Sequence, residues 1–108
     1  LAEEHFRAAL KINPSLLSAG NGLGIVYSRG GRTAEAIAAW RSTLAAKPDF
    51  APVLLNLGIT LLEAGRAGEA LGYLRKYRAA SRDGLPAGER RRIDALIAEA
   101  QQRSSTNP

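Results

Sequence analysis

The chain repeats its own sequence with a period of 34 residues. Residues 17–50 align with residues 51–84 without a gap, and many positions carry the same residue in both segments. The matching pairs are Leu23 with Leu57, Gly24 with Gly58, Ile25 with Ile59, Gly31 with Gly65, Arg32 with Arg66, Glu35 with Glu69, and Ala36 with Ala70. A period of this length predicts an array of small stacked units, each contacting only its neighbours, instead of one globular fold.

Each unit has the pattern of two consecutive helices. In the first unit, apolar residues recur at helical spacing over Leu16–Arg29, and Gly30–Gly31 end that helix because glycine accepts left-handed backbone angles. Thr33 is of a helix-capping residue type, and the next helix runs to about Lys47, where Pro48 prevents its continuation. The unit is therefore predicted to be a helix hairpin.

The second unit repeats this organisation. Asp49 is placed to cap a helix that has Pro52 in its first turn, where a missing backbone N–H costs nothing. Gly65 ends this helix, and residues from Glu69 to about Ser81 form the next one. The predicted fold class of the chain is all-α, built from antiparallel helix hairpins.

Several residue types at fixed positions make the chain resemble the tetratricopeptide repeat family. They are the pairs Leu23–Gly24 and Leu57–Gly58, the first-helix aromatic Tyr27, the small residues Ala2, Ala36 and Ala70, the large residues Phe6, Trp40 and Leu74, and the closing prolines Pro14 and Pro48. The resemblance covers about residues 1–80. It implies an α-α superhelix, a solenoid of helix hairpins with Trp40 buried, in which the first helix of each hairpin lines a concave surface.

The sequence departs from the family pattern at a few positions. The family's tryptophan-type position of the first helix holds Gly20 in one unit and Leu54 in the other, and Arg82 stands where a closing proline is expected. These departures indicate that the array ends after the second unit. The segment Pro86–Gln102 has the one-sided apolar pattern expected of a capping helix.

The expected organisation follows from these boundaries. Residues 1–14 form the second helix of a truncated repeat, residues 15–48 and 49–82 form two units, residues 83–102 form the capping helix, and residues 103–108 form a disordered polar tail. We expect the chain to be the C-terminal part of a larger protein. Its frequent alanine, arginine and glycine are typical of a bacterial GC-rich genome.

The sequence lacks the residue patterns of catalytic or metal chemistry. There is no cysteine and only one histidine, His5, so thiolate ligands and histidine pairs are excluded within this chain. Gly20, Gly22 and Gly24 are spaced like a phosphate-binding loop but lie inside a helical pattern, which favours tight helix packing instead. We expect no enzymatic activity, no cofactor and no metal.

The resemblance implies that the first helices of the hairpins bind a protein or peptide ligand. The residues expected to face the ligand are Ser18, Asn21, Gly22, Ile25, Ser28, Arg29, Pro52, Leu55, Asn56, Ile59, Leu62 and Glu63. Amide side chains can hydrogen-bond any peptide backbone. An alternative is that Leu55, Ile59 and Leu62 pack the next helix. The family's mode of clamping a terminal carboxylate with lysines is disfavoured, because Arg29 is the only basic residue on these faces.

Two further partner classes follow from charge and from the first helix. The net charge of +5 comes from residues 75–92, which makes an acidic protein partner or a nucleic acid the alternatives to a merely solvated basic end. Nucleic acid is the weaker alternative, because no aromatic residues alternate with the arginines to stack bases. An uncovered apolar stripe of Ala2, Phe6 and Ala9 predicts self-association. No apolar run reaches the roughly 20 residues of a membrane helix.

Overall fold

The computed structural model describes residues 2–81 and 84–106, and within these ranges all regular structure is helical. The helices are α1 (Ala2–Ile12), α2 (Leu17–Arg29), α3 (Thr33–Ala46), α4 (Ala51–Glu63), α5 (Ala67–Ala80) and α6 (Ala87–Thr106). The predicted all-α fold of helix hairpins is confirmed. Arg82 and the start of the segment 83–102 lie outside the described residues.

The chain divides into two compact units, Leu1–Val53 and Leu54–Pro108. The first unit holds α1, α2, α3 and the first turn of α4, whereas the second holds the rest of α4 together with α5 and α6. In the first unit α2 packs against α1 and α3, and in the second unit α5 packs against α4 and α6.

Glycines in the left-handed conformation end α2 and α4, as predicted. Gly31 has a φ of 76° and Gly65 a φ of 80°, values that favour glycine over residues with a Cβ atom. Beyond Gly31, the backbone N–H of Arg32 donates to the carbonyl oxygen of Tyr27 at 2.9 Å, and the equivalent bond recurs 34 residues later at 2.9 Å. This hydrogen bond satisfies a carbonyl that the helix end would otherwise leave unpaired.

The helix starts differ from the prediction. Thr33 is the first residue of α3 and does not cap it, because the capping position is occupied by Arg32, which makes no side-chain cap hydrogen bond. The guanidinium of Arg32 instead donates from Nε to Oε1 of Glu35, in the first turn, at 2.8 Å. Since α4 begins at Ala51, Asp49 lies one position too early to cap it.

The core of the first unit is built on the glycines of α2. Trp40 is 2% exposed, which confirms its predicted burial, and its indole N–H donates to the carbonyl oxygen of Asn21 at 3.3 Å. A Cβ atom at Gly24 would lie 2.1 Å from Trp40 Nε1, and one at Gly20 would lie 2.0 Å from Thr43 Oγ1. These glycines therefore allow α3 to approach α2 closely, as expected for tight helix packing.

Helix α1 packs on α2 without burying any of its own residues fully. Its main apolar contact is made by Phe6, whose ring lies where a Cβ atom at Gly22 would approach within 2.4 Å. Phe6 and Ala9 are half-buried and Ala2 is exposed, so α2 covers part of the apolar stripe. Association of this helix with a second copy stays a prediction, which light scattering at several concentrations would test.

A polar cluster around Tyr27 joins the first three helices. The buried Tyr27 hydroxyl accepts hydrogen bonds from Arg7 Nε at 3.1 Å and Nη2 at 2.6 Å, while the Arg32 guanidinium lies 4.5 Å from the centre of the tyrosine ring. Glu3 pairs with Arg7 at 2.9 Å and with Arg32 at 2.8 Å. The hydrogen bond from Arg32 lowers the pKa of Glu35, and the bond to Tyr27 raises the pKa of Arg7. Charged groups thus add to the apolar contact that Phe6 makes between α1 and α2.

The second unit is built around α5, which packs on α4 and on α6. A Cβ atom at Gly58 would lie 2.7 Å from Leu74 Cδ2, so this pair matches Gly24 and Trp40 of the first unit. Along the α5–α6 pair, Arg78 Nε donates to Asp94 Oδ1 at 2.8 Å. The fully or almost fully buried apolar side chains of this unit include Leu54, Leu57, Leu61, Leu62, Ala67, Ala70, Leu74, Ile93 and Ala100.

Helix α6 is longer than predicted. It continues to Thr106, so residues 103–106 are helical and do not belong to a disordered tail, whereas residues 107–108 lie outside the described residues. An ion pair between Arg103 and Glu99, one turn apart, measures 2.8 Å and stabilises this end. The Ser105 hydroxyl also donates to the carbonyl oxygen of Gln102 at 3.0 Å. The polar composition of these residues reflects a solvated helix end.

Candidate functional site

The ligand-facing residues predicted on α2 lie beside the core of the first unit. Asn21 and Ile25 are half-buried, whereas Ser18, Ser28 and Arg29 are exposed. Gly22, also predicted here, is half-buried against the ring of Phe6, which a Cβ atom at this position would approach within 2.4 Å. What remains on α2 is one aliphatic side chain flanked by an amide, two hydroxyls and a guanidinium.

The corresponding residues on α4 form a more apolar face. Leu55, Asn56 and Ile59 are half-buried, and Glu63 and Pro52 are exposed. Ile59 occupies the position equivalent to Ile25, 34 residues later, and both isoleucines are half-buried. Both repeats therefore leave an isoleucine partly open to solvent next to leucine and glycine residues that are buried.

Leu62 was expected at this face, and that expectation is wrong. Its side chain is only 4% exposed, so a ligand at the surface has almost no area of it to contact. Helix α6 reaches this end of α4, where Arg103 Nη1 donates to the carbonyl oxygen of Leu62 at 3.5 Å. For Leu62 the alternative interpretation is correct, since the side chain belongs to the core.

An open cleft of about 190 Å³ lies in the second unit, where α4, α5 and α6 meet. We call it the α6 cleft, and its lining residues are Leu55, Tyr77, Glu89, Arg92, Ile93 and Leu96. Leu55 was predicted to face a ligand, whereas the contributions of α5 and α6 were not. The sequence does contain a signal for the contribution of α6, because residues 89, 92, 93 and 96 have the spacing of one helix face.

The charged residues around this cleft differ in how they are paired. Arg78 is held by Asp94, and Lys76 lies over the ring of Tyr73 with 5.6 Å between the ammonium and the ring centre. Within the described ranges, neither Arg92 nor Glu89 forms an ion pair. The α6 cleft thus combines an apolar lining with one unpaired charge of each sign.

A smaller crevice of about 130 Å³ lies in the first unit and is mostly apolar. It is lined mainly by residues of α1, α2 and α3 and by the turn before α2, including Leu10, Pro14, Leu16, Leu23 and Thr43. Among the described residues, no three histidine, aspartate or glutamate side chains come together as metal ligands would. None of the helices in these ranges is long and apolar enough to cross a bilayer.

Comparison with solved structures identifies the fold. The chain is similar to the translocator chaperone SycD of the Yersinia enterocolitica type III secretion system, with a TM-score of 0.83, 15% identity, and coverage of 95% of this chain and 72% of that one. It is also similar to the TPR2B domain of yeast Sti1 in its complex with pHsp70, with a TM-score of 0.81, 18% identity, and coverage of 94% of this chain and 81% of that one. A search of curated proteins finds no significant match.

The family is established by the sequence itself. A model of the tetratricopeptide repeat matches residues 21–84, which is more than half of the chain. The match spans both 34-residue units, including the glycine ends of α2 and α4 and the pairs formed by Gly24 with Trp40 and by Gly58 with Leu74. The chain belongs to the tetratricopeptide repeat family.

Proposed function

We propose that each of the two units binds an extended segment of a partner protein, the first through the outward face of α2 and the second through the outward face of α4. The observation that carries this proposal is the partial exposure of Ile25 and Ile59 at equivalent positions of the two repeats. Burial of aliphatic surface is the main source of binding free energy, at about 25 cal/mol per Å² removed from water. Each repeat therefore offers one apolar contact that its own core does not use.

The polar residues beside these isoleucines suit a peptide backbone. Asn21 precedes Ile25 by one helical turn, and Asn56 precedes Ile59 by three residues, so each amide lies near its isoleucine on the helix surface. An asparagine amide carries both donors and acceptors, which match the alternating N–H and C=O groups of an extended chain. Such contacts orient a segment of any sequence, while the apolar contacts select its side chains.

We infer that the chain's role is binding without catalysis and that it needs no cofactor. Two proteins with a similar fold support a binding role. One was solved in a complex with pHsp70, and the other is named a translocator chaperone of a secretion system. In this proposal the partner is a protein segment and the residues that contact it are Ser18, Asn21, Ile25, Ser28 and Arg29 on α2, and Leu55, Asn56, Ile59 and Glu63 on α4.

Selection from a random peptide library displayed on phage tests the proposal without knowledge of the natural partner. The wild-type chain, an Ile59→Asp variant and an Ala38→Asp control would be immobilised in parallel. Ala38 is an exposed residue of α3, so the control adds the same charge away from the proposed face. Circular dichroism would first establish that all three are folded, with Ile59→Ala as the milder replacement if Ile59→Asp is not.

We expect peptides selected on the wild type to bind the control equally and to lose most of their affinity for the Ile59 variant. Failure to enrich any peptide on the folded wild-type chain would contradict the proposal. Equal binding to all three proteins would move the binding surface away from α4. If the chain retains no peptide but binds a single-stranded oligonucleotide with steep salt dependence, the partner is a nucleic acid and not a protein.

A further inference from the structure

We propose that the α6 cleft receives a large apolar side chain of the partner segment, and that Arg92 pairs with a carboxylate next to that side chain. This inference rests on the proposed function and specifies its ligand as an acidic peptide segment with an apolar anchor. Leu55 connects the two surfaces, because it lies both on the proposed face of α4 and in the lining of the cleft.

The lining of the cleft favours an apolar side chain. Leu55 and Leu96 contribute half-buried aliphatic groups and Tyr77 a half-buried ring, whereas Ile93 is 2% exposed and belongs to the core beneath the cleft. A single water needs about 10–15 Å³, so a space of about 190 Å³ holds several waters against these apolar walls. Water beside apolar walls forms few hydrogen bonds with the protein. A ligand whose apolar side chain displaces this water therefore binds more tightly.

The two charges at the cleft are not equivalent. Glu89 lies in the first turn of α6, where the helix dipole stabilises a carboxylate. Arg92 lies beyond that turn, and no acidic side chain of the described ranges pairs with it. The guanidinium of Arg92 is therefore the group at the cleft that a ligand can satisfy, and a carboxylate is its best partner because the two match in geometry and charge.

The surrounding charges favour the same class of ligand. In the described part of the second unit, eight basic residues stand against five acidic ones. Arg75 and Arg91 also lack an ion pair among the described residues. Their charges therefore add to the positive potential of this unit. A segment rich in aspartate or glutamate is attracted to this unit, whereas one rich in lysine is repelled.

Three capped, fluorescently labelled pentapeptides test this inference by fluorescence anisotropy. The first has a central leucine flanked by aspartates, the second has alanine in place of the leucine, and the third has lysines in place of the aspartates. Each is titrated with the wild-type chain, with Arg92→Glu, and with Arg91→Glu as matched control. Arg91 is the neighbouring arginine, also without an ion pair among the described residues, and it does not line the cleft.

We expect the wild type to bind the leucine–aspartate peptide more tightly than either of the others. Arg92→Glu should weaken that peptide about tenfold or more and strengthen the leucine–lysine peptide, since it turns an attraction into a repulsion. Arg91→Glu should change both affinities by clearly less. Equal effects of the two substitutions would overturn the pairing with Arg92, because they would show only the overall charge of α6.

The outcome is separable from that of the proposed function. If peptides from the display selection bind and depend on Ile59, but none of the three pentapeptides binds, then the α4 face binds ligands and the inference about the cleft is wrong. If the selection itself enriches nothing, the proposed function fails first. Tighter binding of the alanine peptide than of the leucine peptide would also contradict an apolar anchor.

Discussion

The indole of Trp40 packs directly on the backbone of Gly24, so that a Cβ atom at position 24 would lie 2.1 Å from the indole nitrogen. The second repeat has the same relationship between Leu74 and Gly58, at 2.7 Å. In both repeats the family's large residue therefore fills the space that the glycine leaves open. This contact sets how closely the two helices of a hairpin approach.

Replacement of Gly24 by alanine should destabilise the chain although alanine is the better helix former. The added methyl group must displace the indole of a 2% exposed tryptophan, and such overpacking costs about 1–3 kcal/mol. The matched control is Gly72→Ala, because a Cβ atom at Gly72 in α5 meets nothing within 4 Å. The control should stabilise by about 0.5–1 kcal/mol. Urea denaturation compares the two, and equal shifts of the midpoint would show that Gly24 does not hold the tryptophan.

Truncation of Trp40 should cost on the order of 3–5 kcal/mol, the usual range for a buried tryptophan replaced by alanine. A loss of that size would unfold much of a domain with typical stability of about 5–15 kcal/mol. Thermal denaturation followed by circular dichroism measures it. A Trp40→Ala chain with an unchanged midpoint would be inconsistent with the packing of α3 on α2.

Leu62 and Ile59 should respond to alanine in opposite ways. Leu62→Ala removes a core side chain and should destabilise by about 2–5 kcal/mol. Ile59→Ala should change stability much less, because Ile59 is only half-buried, and it should weaken peptide binding instead. Denaturation midpoints and peptide affinities of both variants provide the check. If the Leu62 variant is stable but binds peptide more weakly, Leu62 contacts the ligand and the prediction is wrong.

Acid should weaken the ion pair between Glu35 and Arg32. Because the folded-state pKa of this carboxyl lies below its ordinary value of 4.5, its charge stabilises the fold above that pH, and the stabilisation is lost as the pH falls below 4.5. Glu35→Gln should reduce the loss of stability between pH 5 and the acid limit, measured by denaturant midpoints at several pH values. Glu4→Gln is the control, since Glu4 has no ion pair among the described residues. A pH profile unchanged by Glu35→Gln would be at odds with the ion pair to Arg32.

The sequence was sufficient to predict features that depend on one residue type at a fixed place. Glycine at positions 31 and 65 predicted the ends of α2 and α4, because the left-handed conformation found there is specific to glycine. The 34-residue period predicted the hairpins and the burial of Trp40. These are local signals or signals repeated within the chain, so no knowledge of tertiary contacts is needed to use them.

Features that depend on α6 were not predictable in the same way. The burial of Leu62 and the α6 cleft both arise from where the last helix packs, and the repeat contains no equivalent of that helix to compare. The length of α6 was underestimated because its final turns are polar, although the ion pair of Arg103 with Glu99 adds to their stability. Tight packing at Gly22 was predicted, but its partner Phe6 in α1 was not, since no sequence pattern links the two positions.

The most direct test of the account is a map of backbone and indole N–H chemical shifts upon addition of a peptide from the display selection. We predict the largest shifts at Leu55, Asn56 and Ile59 of α4 and at Leu96 of α6, while the indole N–H of the buried Trp40 stays nearly unchanged. Shifts confined to exposed residues of α3 or α5, with those of α4 unmoved, would contradict the account.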